Sequence, residues 1–341
     1  MSDDRPVRPE PVEGPGQNGA QIARAVELLR AGELVAIPTE TVYGLGADAS
    51  NPAAVAKIFA AKGRPADHPL IVHLPAADHL ERWAREIPAA AQKLAAAFWP
   101  GPLTLILKRQ PTVPDAVTGG QDTVGLRVPN HPLALELLRA FDGGIAAPSA
   151  NRFGRISPTT ADHVREELGD RVALILDGGP CRIGIESTVI DVTRGAPVVL
   201  RPGSITAADI EQAANLGTVR SEPFSGGKGT PRVSGSLEAH YAPHTPMRLV
   251  ESAELPGKIA QALDSGRRIA VLAFQPITKC AGVESLNAST DPVRYAHDLY
   301  ARLRELDHLN ADLILVESVP ELPAWLAVRD RLGRAACGSG R

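Results

Sequence analysis

Cysteine is scarce in this chain, with three residues in 341: Cys181, Cys280 and Cys337. They stand too far apart in sequence for a local metal knuckle, and so few exclude a disulfide-built scaffold. Their scarcity suits a reducing compartment. Aromatic residues make up only 4%, and no aromatic-and-basic RNA motif is interleaved among them. Charge of one sign is also missing: 36 Lys+Arg against 39 Asp+Glu leave −3. That balance argues against wholesale coating of nucleic acid but leaves room for a local basic cleft. No apolar run reaches membrane-spanning length. The start, Met1–Gly19, is proline-rich and acidic and lacks the apolar core of a signal peptide, so the expected location is cytoplasmic. There is no standard phosphate loop. No set of His, Cys, Asp and Glu stands at the spacing of a protein-held metal site.

What is present is an ordinary soluble composition, 44% hydrophobic and 22% charged, over a length that favours two domains. Residues 1–16 read as a flexible leader. Residues 17–216 read as one α/β domain, opening on an amphipathic helix whose apolar positions are Ile22, Ala23, Val26 and Leu29. Short apolar strands follow at Leu34–Pro38, Leu70–Leu74, Leu103–Lys108, Val124–Val128, Gly144–Ala147, Val172–Leu176, Ser187–Asp191 and Val198–Leu200. Several neighbours lack a helical crossover between them, which predicts a mixed, twisted sheet with helices and not a regular doubly wound one. Residues 217–246, rich in Gly, Pro, Ser and His, read as an interdomain linker. Residues 247–335 alternate strand and helix, predicting a small Rossmann-like α/β domain with a mainly parallel sheet. Residues 336–341 read as a flexible tail.

Seven segments place small, hydroxyl or cationic residues beside apolar runs. They are PTETVYGLG (38–46), KGRPADHP (62–69), PGPLTLIL (100–107), GLRVP (125–129), PSANRFGRIS (148–157), GIESTV (184–189) and LRPG (200–203). Strand ends would expose such residues around one cleft. Arg64 offers a fork-shaped donor suited to phosphate, and Lys62 a mobile positive charge; the alternative for both is a solvent-facing turn. Arg127, among Leu126, Val128 and Pro129, needs a partner if buried. That partner is either a structural carboxylate or the carboxylate of an amino-acid ligand. Thr41 and Ser187 either cap turns or line a pocket. Ser149 and Asn151 are compact donors able to approach phosphate or a base edge. Glu186 organises a cation or forms a structural salt bridge. Cys181 has no His–acid neighbourhood to make it a nucleophile.

Taken in order, PTETVYGLG, KGRP, PGPLTLIL, PSAN and GIESTV resemble the YrdC/Sua5 family of threonylcarbamoyl-AMP synthases, in its long two-domain form, over roughly residues 17–334. The resemblance implies condensation of L-threonine, bicarbonate or CO2, and ATP to threonylcarbamoyl-adenylate, diphosphate and water, with Mg2+ accompanying ATP. A downstream transferase complex would deliver the group to adenosine 37 of tRNA; direct tRNA contact is left open. It carries catalytic roles onto Lys62, Arg64 and Arg127, and threonine contacts onto Thr41, His73, Arg127, Ala147 and Ser187. ATP contacts fall on Arg64, His68, Thr123, Ser149, Asn151, Ser157, Arg201 and Tyr241. His68 departs from the family's usual asparagine. Tyr241, in the HYAP run, would cover the nucleotide from the linker. Glu186 is the one candidate on the Mg2+ side. The rival readings are an RNA-binding module and an enzyme forming a carbamoyl-adenylate from carbamoyl phosphate.

Overall fold

The computed structural model describes residues 15–215, 219–221, 230–235 and 237–340. The first fourteen residues, expected as leader, residues 216–218, 222–229 and 236 around and in the expected linker, and residue 341 of the expected tail lie outside them. The first helix runs Pro15–Arg30, so it begins two residues inside the stretch read as leader. Ile22, Ala25, Val26 and Leu29, three to four apart, put their side chains on one buried face. That face packs on the helix Pro132–Phe141 through Leu133, Leu137, Leu138 and Phe141.

The mixed sheet is borne out. Its strand order is Arg220–Ser221, Val198–Arg201, Thr188–Asp191, Leu103–Arg109, Thr123–Arg127, Ile71–His73, Ile145–Ala146, Gly44–Asp48, Val35–Ile37 and Leu174–Ile175, with Ala84–Arg85 paired to the side. Parallel and antiparallel pairs alternate irregularly across it. Two parallel strands end together, with His73 opposite Arg127 in register, so their side chains reach the sheet's carboxyl edge as neighbours. Ile145 pairs with His73 from the other side and leads directly to Ala147. One sheet edge thus gathers residues separated by 74 positions of chain or fewer.

The helix Pro52–Lys62 is bounded as its sequence dictates. Asn51 accepts hydrogen bonds from the backbone N–H of Ala53 and Ala54, Pro52 occupies the first turn, and Gly63 takes the left-handed conformation (φ 62°) after Lys62. This stop turns Arg64 out of the helix and toward the carboxyl edge. The linker is not merely a spacer: Arg220–Ser221 extends the first sheet, and Val233 packs with Ile106, Val189, Val198 and Leu200.

The C-terminal domain is a four-stranded, wholly parallel sheet, ordered Met247–Val250, Leu313–Glu317, Ile269–Ala273, Val283–Asn287. The last of these was not read from sequence. Val-Glu-Ser-Leu-Asn is an edge strand, largely exposed, so it lacks the apolar run that marks its buried neighbours. The final helix continues to Gly338 and Ser339 Oγ accepts from Met247 N at 2.8 Å, so the chain stays packed beyond residue 335.

The second hydrophobic cluster crosses between domains. Val42, Ile156 and Ile185, one from each of three motif loops, are buried among Tyr241, Leu299, Tyr300, Leu303 and Trp325. Gly184 shows how close the approach is: it sits at φ +83°, and a Cβ there would lie 2.2 Å from the carbonyl oxygen of His297, in the helix Pro292–Asp307. Gly184→Ala is therefore expected to destabilise the protein by roughly 2 kcal/mol or more. A lowered urea midpoint checks this, and an unchanged midpoint would refute it.

Candidate active site

Ten of the candidate residues line one pocket: Thr41, Arg64, His73, Arg127, Ala147, Ser149, Glu186, Ser187, Arg201 and Tyr241. Its other walls are Thr39, Val42, Gly44, Ile71, Pro148, Ser234, Gly235 and His240.

One side is built around Arg127. Its Nε donates to Gly101 O (3.2 Å) and its Nη1 to Thr41 Oγ1 (2.9 Å). Its Nη2 lies 2.7 Å from Glu40 Oε1, an ion pair set off the line of a hydrogen bond. Both partners are almost wholly buried. Glu40 was not singled out from the sequence; its place directly before Thr41 is the signal that was there. With three of five N–H groups occupied or facing Glu40, Arg127 keeps donors on both terminal nitrogens. Thr41 is fixed in turn by Thr39 Oγ1, which contacts both its hydroxyl (2.9 Å) and its N–H (3.1 Å). His73 stands beside them. Burial, reinforced by the Arg127 charge, pushes its imidazole down to about 3, and its Nδ1 has no hydrogen-bond partner.

The opposite side is cationic. Arg201 donates through Nε and Nη2 to Ser187 O (3.1 and 2.9 Å), through Nη2 to Ser187 Oγ (3.1 Å), and through Nη1 to Ser234 O (2.7 Å). Ser187 Oγ also meets Thr104 Oγ1 at 2.8 Å. Arg64 donates to Pro69 O (2.9 Å) and Ser234 Oγ (3.3 Å), stands over the Phe153 ring, and leaves its buried Nε unpartnered. Burial first, then the Arg201 charge, lowers its guanidinium to about 10.

Tyr241 roofs the pocket at φ 62°, buried, with its hydroxyl unpartnered. His240 stacks edge-on against it at 4.1 Å. Burial, with the charges of Arg64, Lys62 and Arg201, pushes the His240 ring down to about 3. With this roof in place the cavity volume is about 40 Å³, far below the roughly 300–1,000 Å³ of ligand pockets in general. In this arrangement Tyr241 and its neighbours leave little free space in the pocket.

Five sequence candidates are not among the residues lining this pocket. Lys62 is not a mobile charge on the pocket wall. Its ammonium is buried and donates to the carbonyl oxygens of Ser149 (2.5 Å) and Asn151, and burial, then the Arg64 charge, lowers its pKa well below the ordinary lysine value. It braces the PSAN loop. Asn151 spends its Nδ2 on Arg152 O and Arg155 O (2.7 and 2.9 Å), leaving Oδ1 buried and unpartnered. Ser157 donates to Glu186 Oε1 at 2.6 Å. Thr123 lines an adjacent recess with Val233 and Ser234. His68 packs edge-on against Phe153 at 5.5 Å.

Glu186 is a salt-bridge member. Its Oε2 accepts from Arg331 Nε and from Tyr300 Oη, both at 2.9 Å, and its Oε1 from Ser157. Burial alone would raise this carboxyl, but the charges of Arg331 and Arg201 and the Ser157 hydrogen bond hold it down to about 2. Its oxygens are thus committed to protein donors. No group of three or more His, Cys, Asp or Glu able to hold a metal occurs among the described residues. Cys181 is buried, and desolvation pushes its thiol up to about 12, which suits an inert side chain. No helix among the described residues is long and apolar enough to cross a membrane.

The two buried imidazoles set a pH dependence. Both are neutral when folded, whereas an ordinary histidine in the unfolded chain takes up a proton near 6.5. Below that pH the unfolded state binds more protons, so stability falls as pH drops and the loss continues toward the folded value of about 3. The slope is roughly 1.4 kcal/mol per pH unit for each ring. Glu186 adds to the loss below its unperturbed value of 4.5. Urea midpoints at about pH 7.5 and about pH 5.5 should differ clearly, with the lower pH less stable; equal midpoints would contradict this assignment.

Comparison with known proteins gives the family. A family model for Sua5, YciO and YrdC, described as telomere recombination, matches residues 27–203. A second, described as the threonylcarbamoyl-AMP synthase C-terminal domain, matches residues 205–337. The threonylcarbamoyl-AMP synthase of Pyrococcus abyssi is 43% identical over 332 residues, spanning 93% of this chain and 94% of that protein. That of Bacillus subtilis is 44% identical over 331 residues, spanning 94% of each. The solved structure of P. abyssi Sua5 complexed with L-threonine has a TM-score of 0.86 at 42% identity, covering 93% of this chain and 94% of that one. On these matches across both domains, the chain belongs to the YrdC/Sua5 family in its two-domain form.

Proposed function

We propose that this pocket synthesises L-threonylcarbamoyladenylate from L-threonine, bicarbonate and ATP, releasing diphosphate and water. The observation that carries the reading is the meeting of a side centred on Arg127 with a cationic side, Arg64 and Arg201, inside one roofed pocket. Relatives of the same two-domain length bear the matching name, and one solved relative is a complex with L-threonine.

In this reading the remaining N–H groups of Arg127 take the threonine carboxylate as paired charge-assisted hydrogen bonds. Thr41 and Ser187 orient the hydroxyl end. His73, neutral and pushed down to about 3, is too weak a base to hold a proton at neutral pH; it acts as a hydrogen-bond acceptor through Nδ1. The uncharged threonine amine forms its C–N bond to the bicarbonate-derived carbon. One oxygen of that carbon departs as water with the amine proton. A carbamate oxygen then attacks the α-phosphorus, the bond to the bridging oxygen breaks, and diphosphate leaves with the electron pair. Arg64 and Arg201 balance the charge that gathers on the leaving group, and Mg2+ enters with ATP as part of the substrate. Ser149 lines the nucleotide side, while Ser157 and Asn151 shape its loop. Tyr241 excludes water from the labile mixed anhydride. The product suits a separate transferase that carries the threonylcarbamoyl group to tRNA.

The test is diphosphate release with MgATP and bicarbonate, threonine being present, omitted, or replaced by serine or carbamoyl phosphate. Dependence on threonine and bicarbonate together with an adenylated product is expected. Serine should be used roughly 10- to 200-fold less well, the worth of one methyl group in a fitted pocket. Release driven by carbamoyl phosphate alone would overturn the reading in favour of a carbamoyl-adenylate former.

A further inference from the structure

Arg331, in the helix Leu326–Gly338, is completely buried, although nothing in its local sequence marks it as a site residue. Its Nε donates to Glu186 Oε2 and its Nη1 to Pro202 O, both at 2.9 Å. Asp330 supplies a nearby counter-charge at 2.8 Å. Its guanidinium carbon stands 5.4 Å from the centroid of the Tyr241 ring. One side chain of the C-terminal domain therefore touches the GIESTV loop, the LRPG loop and the roof directly. It reaches the PSANRFGRIS loop through Glu186 and Ser157. Pro202 follows Arg201, which itself holds Ser187 and the roof residue Ser234. None of these contacts involves Thr41, His73 or Arg127; Ser187, held through Arg201, is the threonine-side residue this path touches.

We propose that Arg331 is a positioning residue that couples closure of the linker to assembly of the nucleotide side of the pocket. The inference rests on reading that side as the ATP site. Lifting Tyr241 away deprives a buried cation of its aromatic face. Seating it restores a charge–quadrupole attraction that is strengthened by exclusion of water. The same guanidinium fixes the backbone at Pro202 and the carboxylate that holds Ser157. Roof position and loop order are therefore linked equilibria, and whatever favours one favours the other. The C-terminal domain thereby takes part in substrate binding without touching substrate.

The experiment compares full-length Arg331→Met, Arg331→Lys and the double variant Glu186→Gln/Arg331→Met with the parent protein. Diphosphate release gives KM for ATP and kcat, calorimetry gives threonine affinity without nucleotide, and urea midpoints give stability. Arg331→Met should raise KM for ATP by about tenfold or more while threonine affinity changes by less than about twofold. Arg331→Lys keeps charge but not the planar fork, so it should fall between. Removing both buried charges in the double variant should restore the urea midpoint but not KM for ATP. A merely structural ion pair would recover both, and that result overturns the proposal, as does an unchanged KM or a parallel loss of threonine binding. If Arg331→Met does not fold, the double variant carries the same decision. Should the parent protein release no threonine-dependent diphosphate, calorimetric ATP binding to the same variants still reports on Arg331, so the two readings fail separately.

Discussion

Arg127→Ala should reduce threonine-dependent kcat/KM by more than about 100-fold while ATP binding changes by less than about threefold. The expectation follows from which groups Arg127 touches. Its partners, Thr41, Gly101 and Glu40, all belong to the amino-acid side, and none touches Arg64 or Arg201. Truncating one member of a buried charge pair typically costs 2–5 kcal/mol or more, about 30-fold to several thousand-fold, partly because the other charge is stranded. Glu40 is that stranded charge: both its oxygens are buried and it has no hydrogen-bond donor. Destabilisation therefore has to be separated from lost recognition. The double variant Glu40→Gln/Arg127→Met removes the stranded charge and should recover much of the urea midpoint without recovering threonine use. If both recover together, Arg127 is a structural cation and the carboxylate site lies elsewhere.

Lys62→Met should raise KM for ATP by about tenfold or more and also lower stability. It removes the donor shared by the part-buried carbonyl of Ser149 and the buried carbonyl of Asn151, and a buried orphaned acceptor costs about 1–3 kcal/mol. The loop released is the one that carries Ser149, on the pocket wall. Lys62→Arg decides between brace and phosphate ligand. A phosphate contact tolerates a guanidinium, whereas the space between two backbone carbonyls behind the loop does not. Activity near the parent level in Lys62→Arg would show that the side chain meets phosphate; a loss matching Lys62→Met is expected.

Much of the fold was legible because its signals are local. Leu103–Arg109, Thr123–Arg127 and Thr188–Asp191 occur where the apolar runs Leu103–Lys108, Val124–Val128 and Ser187–Asp191 placed strands, to within a residue. Thr160 caps the helix Ala161–Leu168 by accepting from His163 N, the local role that a threonine before an apolar-periodic run takes most readily. The mixed character of the sheet followed from strands with no helix between them. The site was legible as a set of loops but less so as individual roles. A side chain's partner depends on residues far away in sequence, and no local pattern announces it. Lys62 and Arg64 look equivalent in KGRP, yet one faces the back of a loop and the other faces the pocket. Glu186 looks like a metal-side carboxylate until Arg331, 145 positions later, occupies it. Glu40 and Ser234 were overlooked for the same reason: a carboxylate inside PTETV and a serine in a glycine-rich run carry no mark of what they will face.

Val42, Ile156 and Ile185 have a further consequence for how the chain must be handled. These aliphatic side chains lie in the loops that shape the pocket, yet they are buried in the neighbouring domain's core. A fragment comprising residues 15–215 would expose them together as a sticky patch beside its own cleft. Such patches promote self-association, so the shortened chain should precipitate or oligomerise as its concentration rises, and light scattering would register this directly. Polar replacements at those three positions would then be the route to a soluble half-molecule.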